Sequence, residues 1–232
     1  MITGWFPADV STFGGGVDSV FRLILYVVGF WFILAEALIL WFAIRYRRKA
    51  DRPAAHIRGE TLRQAAWIFV PALIVMLLDF GIDAASARVW AAIKERVPPA
   101  AVNVRVTAER FAWFFTYPGP DGSFGTKDDL MAFNTLHVPV NAVVRLSLGS
   151  MDVIHSFAVP NLRLRQDVVP DRTIYAWFEA TKPGSYEIEC TELCGYDHYR
   201  MRGKLVVLSA DDYARWMQKH WPLAGPAGSA KR

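Results

Sequence analysis

The sequence predicts an N-terminal two-helix transmembrane hairpin followed by an all-β sandwich domain, in a chain of 232 residues. Three observations predict this fold class. Two long apolar segments precede residue 98, short strand-like segments separated by turns follow it, and the apolar fraction of 53% is high for a soluble protein. We expect residues 1–19 outside the cytoplasm, a membrane portion at 20–97, a soluble domain at 98–220 and a disordered tail at 221–232.

The two apolar segments have the length and composition of transmembrane helices. The first, residues 20–44, is interrupted only by Arg22 and Glu36 and is long enough to span a bilayer. The second, residues 65–80, reaches spanning length with its flanks, and a membrane helix tolerates its Pro71. No polar stripe recurs at helical spacing in either apolar centre, so we expect membrane spans rather than core helices.

The segment between them, residues 45–63, is strongly basic. Basic side chains outnumber acidic ones there: Arg45, Arg47, Arg48, Lys49, Arg52, Arg58 and Arg63 against Asp51 and Glu60. The positive-inside rule places this loop in the cytoplasm. Residues 1–19 contain no Lys or Arg, so we expect no cleaved secretory signal and both chain ends in the periplasm or its equivalent, where disulfides are allowed.

Segments rich in β-branched and aromatic residues follow residue 101 and predict strands. They are VNVRVTAERFAWFFTY, AVVRLSLG, TIYAWFEA, SYEIEC and KLVVLS. Their separation by Pro and Gly turns predicts a β-sandwich. The later segment DDYARWMQKHW predicts one amphipathic helix capped by Asp211. Basic and acidic residues nearly balance from residue 101 onward, which gives no indication of nucleic-acid binding.

Both cysteines of the chain lie in the segment CTELCGYDHYRM, residues 190–201. One interpretation is a disulfide, because paired cysteines are common in an oxidising compartment. That bridge would close a very short loop, where the entropic stabilisation is smallest, and it leaves His198 and Met201 unexplained. The other interpretation is a metal site, since thiolate, imidazole and thioether together suit copper, whereas zinc seldom recruits methionine.

A copper site needs a second imidazole from another part of the chain. His155, in GSMDVIHSFAVPNL, is expected in a loop after a strand and is the best partner for His198. His56 is expected in the cytoplasmic loop, His137 within a strand and His220 in the terminal helix. A lone histidine before Ser-Phe is more often structural than a ligand, so the residues alone leave both interpretations of the cysteines open.

The segment CTELCGYDHYRM, together with DVIHSFAVP upstream, resembles subunit II of the haem-copper oxidases, which carries the dinuclear CuA centre. The resemblance extends over the two-helix hairpin, AWIFVPALI on the second helix, and LRLRQDVVPDR between the histidine and the cysteines. It implies a cupredoxin-like Greek-key topology for the sandwich. It also favours a metal site over a disulfide.

The resemblance implies a role for each residue of this site. Six residues match ligands of the two copper ions: Cys190 and Cys194 through bridging thiolates, His155 and His198 through imidazoles, Met201 through its thioether, and Glu192 through its backbone carbonyl. The Glu192 side chain also matches a ligand of a magnesium site shared with subunit I. The cysteines must remain reduced for copper to bind, so disulfide formation competes with copper capture.

By the same resemblance, the chain is the electron-accepting subunit of a cytochrome c oxidase in a bacterial inner membrane. CuA would take electrons from cytochrome c or a similar periplasmic donor and pass them to haem in subunit I, which reduces oxygen to water. The isolated chain only transfers electrons, since it has no Cys-x-x-Cys-His for covalent haem.

Three alternatives remain. One is the CuA subunit of a nitric oxide reductase-like haem-copper enzyme, because the copper motif does not identify the substrate of the partner. Another is a metal-free docking subunit of the quinol-oxidase type, which the retained ligand residues disfavour. The third is a copper chaperone or storage protein, which has no need of two transmembrane helices.

The chain departs from the family pattern at the place where electrons from cytochrome c enter. The segment ERFAWFF puts Phe111 where relatives carry a tryptophan, and Trp113 matches a second aromatic residue. Phe111 keeps the apolar contact but lacks the indole N–H. Asp152 matches an acidic residue near the docking face for cytochrome c. The alternative is that Phe111 and Trp113 only pack in the sandwich.

A second departure lies at the start of the second helix. Many relatives carry a glutamate at the mouth of a proton channel, where this chain has Gln64. Glu60 is four residues earlier and would share a helical face with Gln64, which makes it a candidate for the missing carboxylate. The alternative is that Glu60 is a solvated loop residue.

A third departure is the loop PGPDGSFGTKDDL, residues 118–130, which is longer and richer in Asp and Gly than in most relatives. Asp121, Asp128 and Asp129 are oxygen ligands of the kind that calcium prefers, although the spacing is not that of an EF-hand. The alternative is an exposed turn whose carboxylates face water or a basic partner.

Overall fold

The computed structural model describes residues 6–50 and 58–221. The chain divides into a helical unit, Gly16–Ala91, and a β-unit that combines the N-terminal segment up to Gly15 with the chain from Ala92 onward. His56, part of the predicted cytoplasmic loop and the predicted tail beyond Trp221 lie outside the described residues.

Two helices, α1 (Gly14–Arg45) and α2 (Leu62–Trp90), are long and apolar enough to cross a membrane. Their most apolar windows have mean hydropathies of 2.4 and 2.2 and contain no buried residue. Side chains such as Ile33 and Ile68 are instead 68% and 71% exposed, as expected of surfaces that meet lipid or another subunit. The two predicted spans are confirmed.

Helix α1 begins earlier than the apolar pattern predicts. It starts at Gly14 rather than Val20, so the predicted N-terminal segment 1–19 overlaps its first turns. Apolar composition marks only the part of a helix suited to hydrocarbon, and no proline stops α1 from including the polar Asp18 and Ser19.

Helix α2 begins at a capping residue that changes the interpretation of Glu60. Thr61 has extended backbone geometry and accepts a hydrogen bond from the backbone N–H of Gln64, so it is the N-cap. Glu60 therefore lies before the helix, and the expectation that it shares a helical face with Gln64 is wrong. Its side chain is exposed and lies 3.9 Å from Arg58.

The β-unit contains a sandwich of two five-stranded sheets. Its strands are β1 (Val102–Glu109), β2 (Ala112–Tyr117), β3 (Leu130–Phe133), β4 (Thr135–Pro139), β5 (Val143–Ser150), β6 (His155–Val159), β7 (Leu164–Val168), β8 (Ile174–Glu179), β9 (Gly184–Cys190) and β10 (Arg202–Leu208). One sheet has the order β3-β2-β1-β5-β8 and the other β4-β10-β9-β6-β7. The predicted all-β sandwich is confirmed.

The burial pattern along each strand explains why some strands can be predicted from the sequence and others cannot. In β1 and β5, buried and solvent-facing residues alternate, and Val104 pairs with Leu146 on the inner face. All five residues of β6 are buried, so no alternation identifies it. His155 is consequently not in a loop, as expected from the sequence, but is the first residue of β6.

Residues 7–13, before α1, pack on the edge strand β8 as part of the β-unit. The backbone carbonyl of Val10 accepts a hydrogen bond from Thr181 N at 2.8 Å, and Val10 is buried. Phe13 is also buried, with its ring edge-on to Trp177 at 5.4 Å. This segment therefore covers a sheet edge that would otherwise be open.

Replacing Phe13 by alanine should lower the free energy of unfolding of the β-unit by about 3 kcal/mol, because the buried ring against Trp177 is lost. Thermal unfolding of the full chain in detergent, followed by near-ultraviolet circular dichroism, measures the change. Phe133→Ala is the control, since Phe133 is 62% exposed and should cost much less. Equal losses in the two variants would contradict the role of residues 7–13.

Helix α3 (Ala210–His220) packs beside β4 through Trp216. The indole ring stacks on His137 with ring centroids 5.1 Å apart. The N-cap is Ser209 rather than the predicted Asp211, because the Ser209 hydroxyl accepts from Asp212 N at 3.1 Å while Asp211 lies in the first turn.

His137 makes the docking of α3 sensitive to pH. Burial, and secondarily the nearby His220, lower the pKa of His137. At a pH just below about 6.5, the ordinary pKa of histidine, the unfolded chain therefore binds more protons than the folded chain. The stabilisation that neutral His137 contributes is fully present above that pH and is lost as the pH falls through the pKa of His137 in the folded chain.

We expect His137→Gln to flatten the fall of the melting temperature between roughly pH 7 and 5. An unchanged dependence of the melting temperature on pH would contradict this.

The carboxylates of loop 118–130 stabilise local turns. Asp121 accepts from Ser123 N at 2.8 Å, and Asp129 accepts from Gly125 N at 2.7 Å. Asp128 accepts from the Thr126 hydroxyl at 2.6 Å. In the part of the chain that the structure describes, these three side chains do not form a group with ligand atoms within 4.8 Å. Their hydrogen bonds within the loop agree with the exposed-turn interpretation, and the calcium site stays a hypothesis.

Candidate metal centre

Two elements of one sheet and the loop between β9 and β10 supply the predicted ligands. His155 is the first residue of β6, and Cys190 is the last residue of its neighbour β9. The chain then loops through Cys194 and a 3₁₀ turn, His198–Arg200, and reaches Met201 directly before β10. Residues distant in the sequence therefore meet at one end of the sandwich.

The sulfur and nitrogen atoms of these residues face a common centre. The two cysteine Sγ atoms are 3.9 Å apart. His155 Nδ1 lies 3.8 Å from Cys190 Sγ, and His198 Nδ1 lies 3.5 Å from Cys194 Sγ. Met201 Sδ is 3.8 Å from Cys194 Sγ. Each thiol thus has its own imidazole nitrogen within 4 Å.

The backbone carbonyl of Glu192 completes this arrangement. Its oxygen lies 3.3 Å from Cys190 Sγ, on the loop between the two cysteines. The Glu192 side chain is half-buried, so its carboxylate remains accessible at the surface of the β-unit. The structure therefore brings together all six residues that the sequence singled out, and their role as ligands stays a prediction.

The donor set suits copper and is shielded from water. Cys190, Cys194, Met201 and His155 are all buried, and both cysteines are free thiols. Within residues 6–50 and 58–221, His155 and the two cysteines form the single group of three or more His, Cys, Asp or Glu ligand atoms within 4.8 Å. Two sulfurs, imidazole nitrogens and a thioether are soft or intermediate ligands, which favour copper over magnesium or calcium.

The electrostatic surroundings make the two thiols different. Burial opposes ionisation of Cys190, but hydrogen bonds from His155 and from the backbone at Ser156 outweigh it and lower the pKa of this thiol. For Cys194, burial and the neighbouring Cys190 thiolate both raise the pKa. The metal-free site therefore holds one thiolate readily, and a bound cation is needed to stabilise the second.

The second ring nitrogen of His155 is held by a carboxylate. His155 Nε2 lies 2.8 Å from Asp152 Oδ1. Partial burial disfavours ionisation of Asp152, but hydrogen bonds from His155, Arg110 and Val153 outweigh it and hold its pKa well below the usual range. A carboxylate at Nε2 keeps a proton on that nitrogen, so Nδ1, which faces Cys190, is the nitrogen that a metal would engage.

The chain is similar to several known proteins. The family model "Cytochrome C oxidase subunit II, periplasmic domain" matches residues 118–209. The alternative cytochrome c oxidase subunit 2 of Bradyrhizobium diazoefficiens is 28% identical over 98% of this chain and 88% of its own length. The cytochrome c oxidase subunit 2 of Cereibacter sphaeroides is 30% identical over 84% of this chain and 73% of its own length. This chain belongs to the cytochrome c oxidase subunit II family.

Membership of the subunit II family establishes the setting of the site. The chain is one subunit of a haem-copper oxidase, an oxidoreductase complex, and α1 and α2 anchor it in a membrane. Its sandwich is the cupredoxin-like periplasmic domain of the family. The solved periplasmic domain of subunit II from Bradyrhizobium japonicum has a TM-score of 0.48 and 30% identity, covering 54% of this chain and 97% of that chain.

The residues predicted to receive electrons in subunit II differ in exposure. Phe111 is half-buried, and its ring lies edge-on to the exposed Tyr196 with centroids 5.7 Å apart. Trp113 is fully buried, edge-on to His155 at 6.1 Å. The Asp152 side chain is only 17% exposed and is engaged by His155. Their part in docking or electron transfer stays a prediction.

Arg110, which no sequence pattern marks, reaches the candidate metal site of subunit II through Asp152. Its Nε atom lies 3.0 Å from Asp152 Oδ2. These two residues are far apart in the sequence, on the β1–β2 turn and the β5–β6 loop, so no local pattern could identify the pair. Only the pairing of β1 with β5 brings them together.

Replacing Gly195 by alanine should weaken copper binding by subunit II. Gly195 has φ +144°, and a Cβ atom there would lie 3.1 Å from the Phe111 ring. Backbone strain of this kind costs about 1–3 kcal/mol, which we expect to appear as faster copper loss to a chelator. Adding Phe111→Ala should restore only part of the loss, because the backbone strain remains. Unchanged copper retention in Gly195→Ala would contradict the prediction.

Proposed function

We propose that this chain is the electron-accepting subunit of the oxidase and holds a dinuclear CuA centre. Cys190 and Cys194 would bridge two copper ions, with His155, His198, Met201 and the Glu192 carbonyl as the remaining ligands. When bound, two copper ions that share one electron through two thiolates supply a one-electron carrier whose bond lengths change little on reduction.

The observation that carries this proposal is that each of the two adjacent thiols has an imidazole nitrogen beside it. Two reduced Sγ atoms lie 3.9 Å apart, and an imidazole Nδ1 lies within 4 Å of each. A single-copper site uses one thiolate, and a tetrahedral zinc site does not need Met201. A bridged pair of metal ions makes use of every donor atom present.

The protein contributes rigidity and exclusion of water. His155 is held by β6 and Asp152, Cys190 by β9, and Met201 N is fixed by a hydrogen bond to His198 O at 3.1 Å. Preorganised ligands need little rearrangement when an electron arrives, which is the requirement for fast transfer. Burial of the sulfur atoms also protects the site from exchange with solvent ligands.

The proposed donor face surrounds the ligand loop. Leu193, Tyr196 and Tyr199 are 78%, 87% and 69% exposed and flank Cys194 and His198 in the sequence. An exposed apolar and aromatic surface of this kind marks a protein interaction site. We assign it to cytochrome c or a similar periplasmic electron donor, with Phe111 beside Tyr196 of that face and Trp113 beside His155.

The remaining partners follow from the family. Subunit I would accept the electrons at haem and reduce oxygen to water, and the Glu192 carboxylate would contribute to a magnesium site between the subunits. The basic segment 45–63 supports a cytoplasmic loop, with the β-unit in the periplasm of a bacterial inner membrane. The cytochrome c oxidase names of the relatives support oxygen rather than nitric oxide as the final acceptor.

Rapid mixing of the assembled, oxidised oxidase with reduced cytochrome c tests this function. We expect the copper absorption to change before haem in subunit I is reduced. In the His198→Ala variant, haem reduction should slow by at least about 100-fold, because the transfer path begins at this site. Equal rates of haem reduction in the two enzymes would show that electrons reach the haem by another path.

A further inference from the structure

We propose that Arg110 is a positioning residue of the metal centre, acting on His155 through Asp152. This inference rests on the proposed copper function, but one of its tests needs no metal. It assigns a role to a residue that lies outside the ligand set and carries no motif of its own.

Arg110 binds one oxygen of Asp152 with two donors. Its backbone N–H donates to Asp152 Oδ2 at 2.9 Å, and its side-chain Nε donates to the same oxygen at 3.0 Å. The other oxygen, Oδ1, lies 2.8 Å from His155 Nε2 and also accepts from Val153 N at 2.7 Å. Arg110 thus fixes the orientation of the carboxylate, and the carboxylate fixes the imidazole.

The arrangement determines which ring nitrogen can bind metal. With Oδ1 accepting from Nε2–H at 2.8 Å, the ring is held in the orientation in which Nδ1 faces Cys190 Sγ at 3.8 Å. If the carboxylate turned away, the imidazole could rotate and Nδ1 would no longer face Cys190. Residues that orient a ligating histidine commonly change metal affinity by about 10- to 100-fold when mutated.

Arg110 is better suited to this task than an ordinary surface arginine. Its partner Asp152 is 17% exposed, so the pair is less screened than a fully solvated ion pair. The Arg110 side chain also lies near the ligand loop, since a Cβ atom on Gly195 would be 3.4 Å from Arg110 Cδ. The Arg110 side chain, which is 49% exposed, therefore lies beside the segment that carries Cys194.

A double-mutant cycle tests whether Arg110 acts through Asp152. We expect Arg110→Ala in the copper-loaded full chain in detergent to lose copper to a Cu(I) chelator roughly 10-fold faster than the unaltered chain. In an Asp152→Asn background, the same change should have little further effect, because the residue through which Arg110 acts has already been altered. Equal effects in both backgrounds, or none in either, would overturn the proposal.

Arg200→Ala is the matched control for loss of charge. Arg200 also lies beside the ligands but contacts Asp197 at 3.9 Å and not Asp152. It should leave the rate of copper loss nearly unchanged and should not couple to Asp152→Asn. If Arg200→Ala matched Arg110→Ala, the effect would be one of overall charge and the positioning role would be wrong.

A metal-free measurement separates this proposal from the copper function. Nitrogen NMR of the reduced, copper-free chain should detect an Nε2–H on His155 that exchanges slowly with solvent, because Asp152 accepts it, and Arg110→Ala should make this proton exchange much faster. Failure of the chain to bind two copper ions would refute the proposed function without altering this result. An equally slow exchange of the His155 Nε2–H in Arg110→Ala would refute the positioning role even if the copper function stands.

Discussion

Replacing Cys190 or Cys194 by serine should abolish the dinuclear copper signal and lower oxidation of cytochrome c by the assembled oxidase by at least about 1,000-fold. Each thiol has its own imidazole partner and lies 3.9 Å from the other thiol, so neither can substitute for both. A serine hydroxyl is a harder and far less acidic ligand than a thiol, which disfavours copper. Copper analysis, electron paramagnetic resonance and steady-state turnover measure the outcome.

Both serine variants should keep the fold of the unaltered chain, and comparison with a matched control variant tests this. Leu193→Ala lies in the same loop, but Leu193 is 78% exposed and is not a ligand, so this variant should keep the copper signal. Circular dichroism should give the same strand content for all three variants. A serine variant that retained the unaltered copper spectrum would show that the ligand assignment is wrong.

Oxidation of the two cysteines before copper arrives should abolish copper uptake. The Sγ atoms need to approach from 3.9 Å to about 2.05 Å to form a disulfide, and the short loop between them makes this contact available. Treating the copper-free chain with diamide, which takes up the two electrons and two protons, should convert both thiols to a disulfide. Copper binding should then fall below about a tenth of the reduced value until a dithiol is added.

Thiol counting with and without the oxidant checks this competition. The Cys194→Ser chain is the control, since it cannot form the internal disulfide, and oxidant should leave its single thiol countable under conditions that exclude dimers. Undiminished uptake of two copper ions by the fully oxidised chain would contradict the assignment of both thiols as ligands.

The sequence predicts the architecture because membrane spans and alternating strands have strong compositional signatures. Residues 20–44 and 65–80 lie within α1 and α2, and the strands β1, β5, β8, β9 and β10 coincide with predicted segments. Strand β6 cannot be predicted from alternation of apolar and polar residues because it is buried on both faces. The start of α1 is missed because glycines and polar residues continue a helix that apolar composition does not mark.

For the metal site, the sequence motif identifies six residues, and the fold brings them together. The surroundings of those residues could not be predicted from the sequence. Arg110 reaches Asp152 only through the β1–β5 pairing, and Glu60 loses its expected place on α2 because Thr61 is a better cap. The packing of Phe13 against Trp177 likewise joins residues that are far apart in the sequence. Such contacts follow from tertiary packing, which local patterns do not encode.

The central claim is that this chain holds two copper ions between Cys190 and Cys194. The most direct test is copper analysis combined with electron paramagnetic resonance on the reduced full chain, loaded with copper in detergent and then oxidised by one electron. We expect two copper ions per chain and one unpaired electron shared equally between them. One copper with an ordinary Cu(II) signal beside a disulfide, or no copper at all, would contradict it.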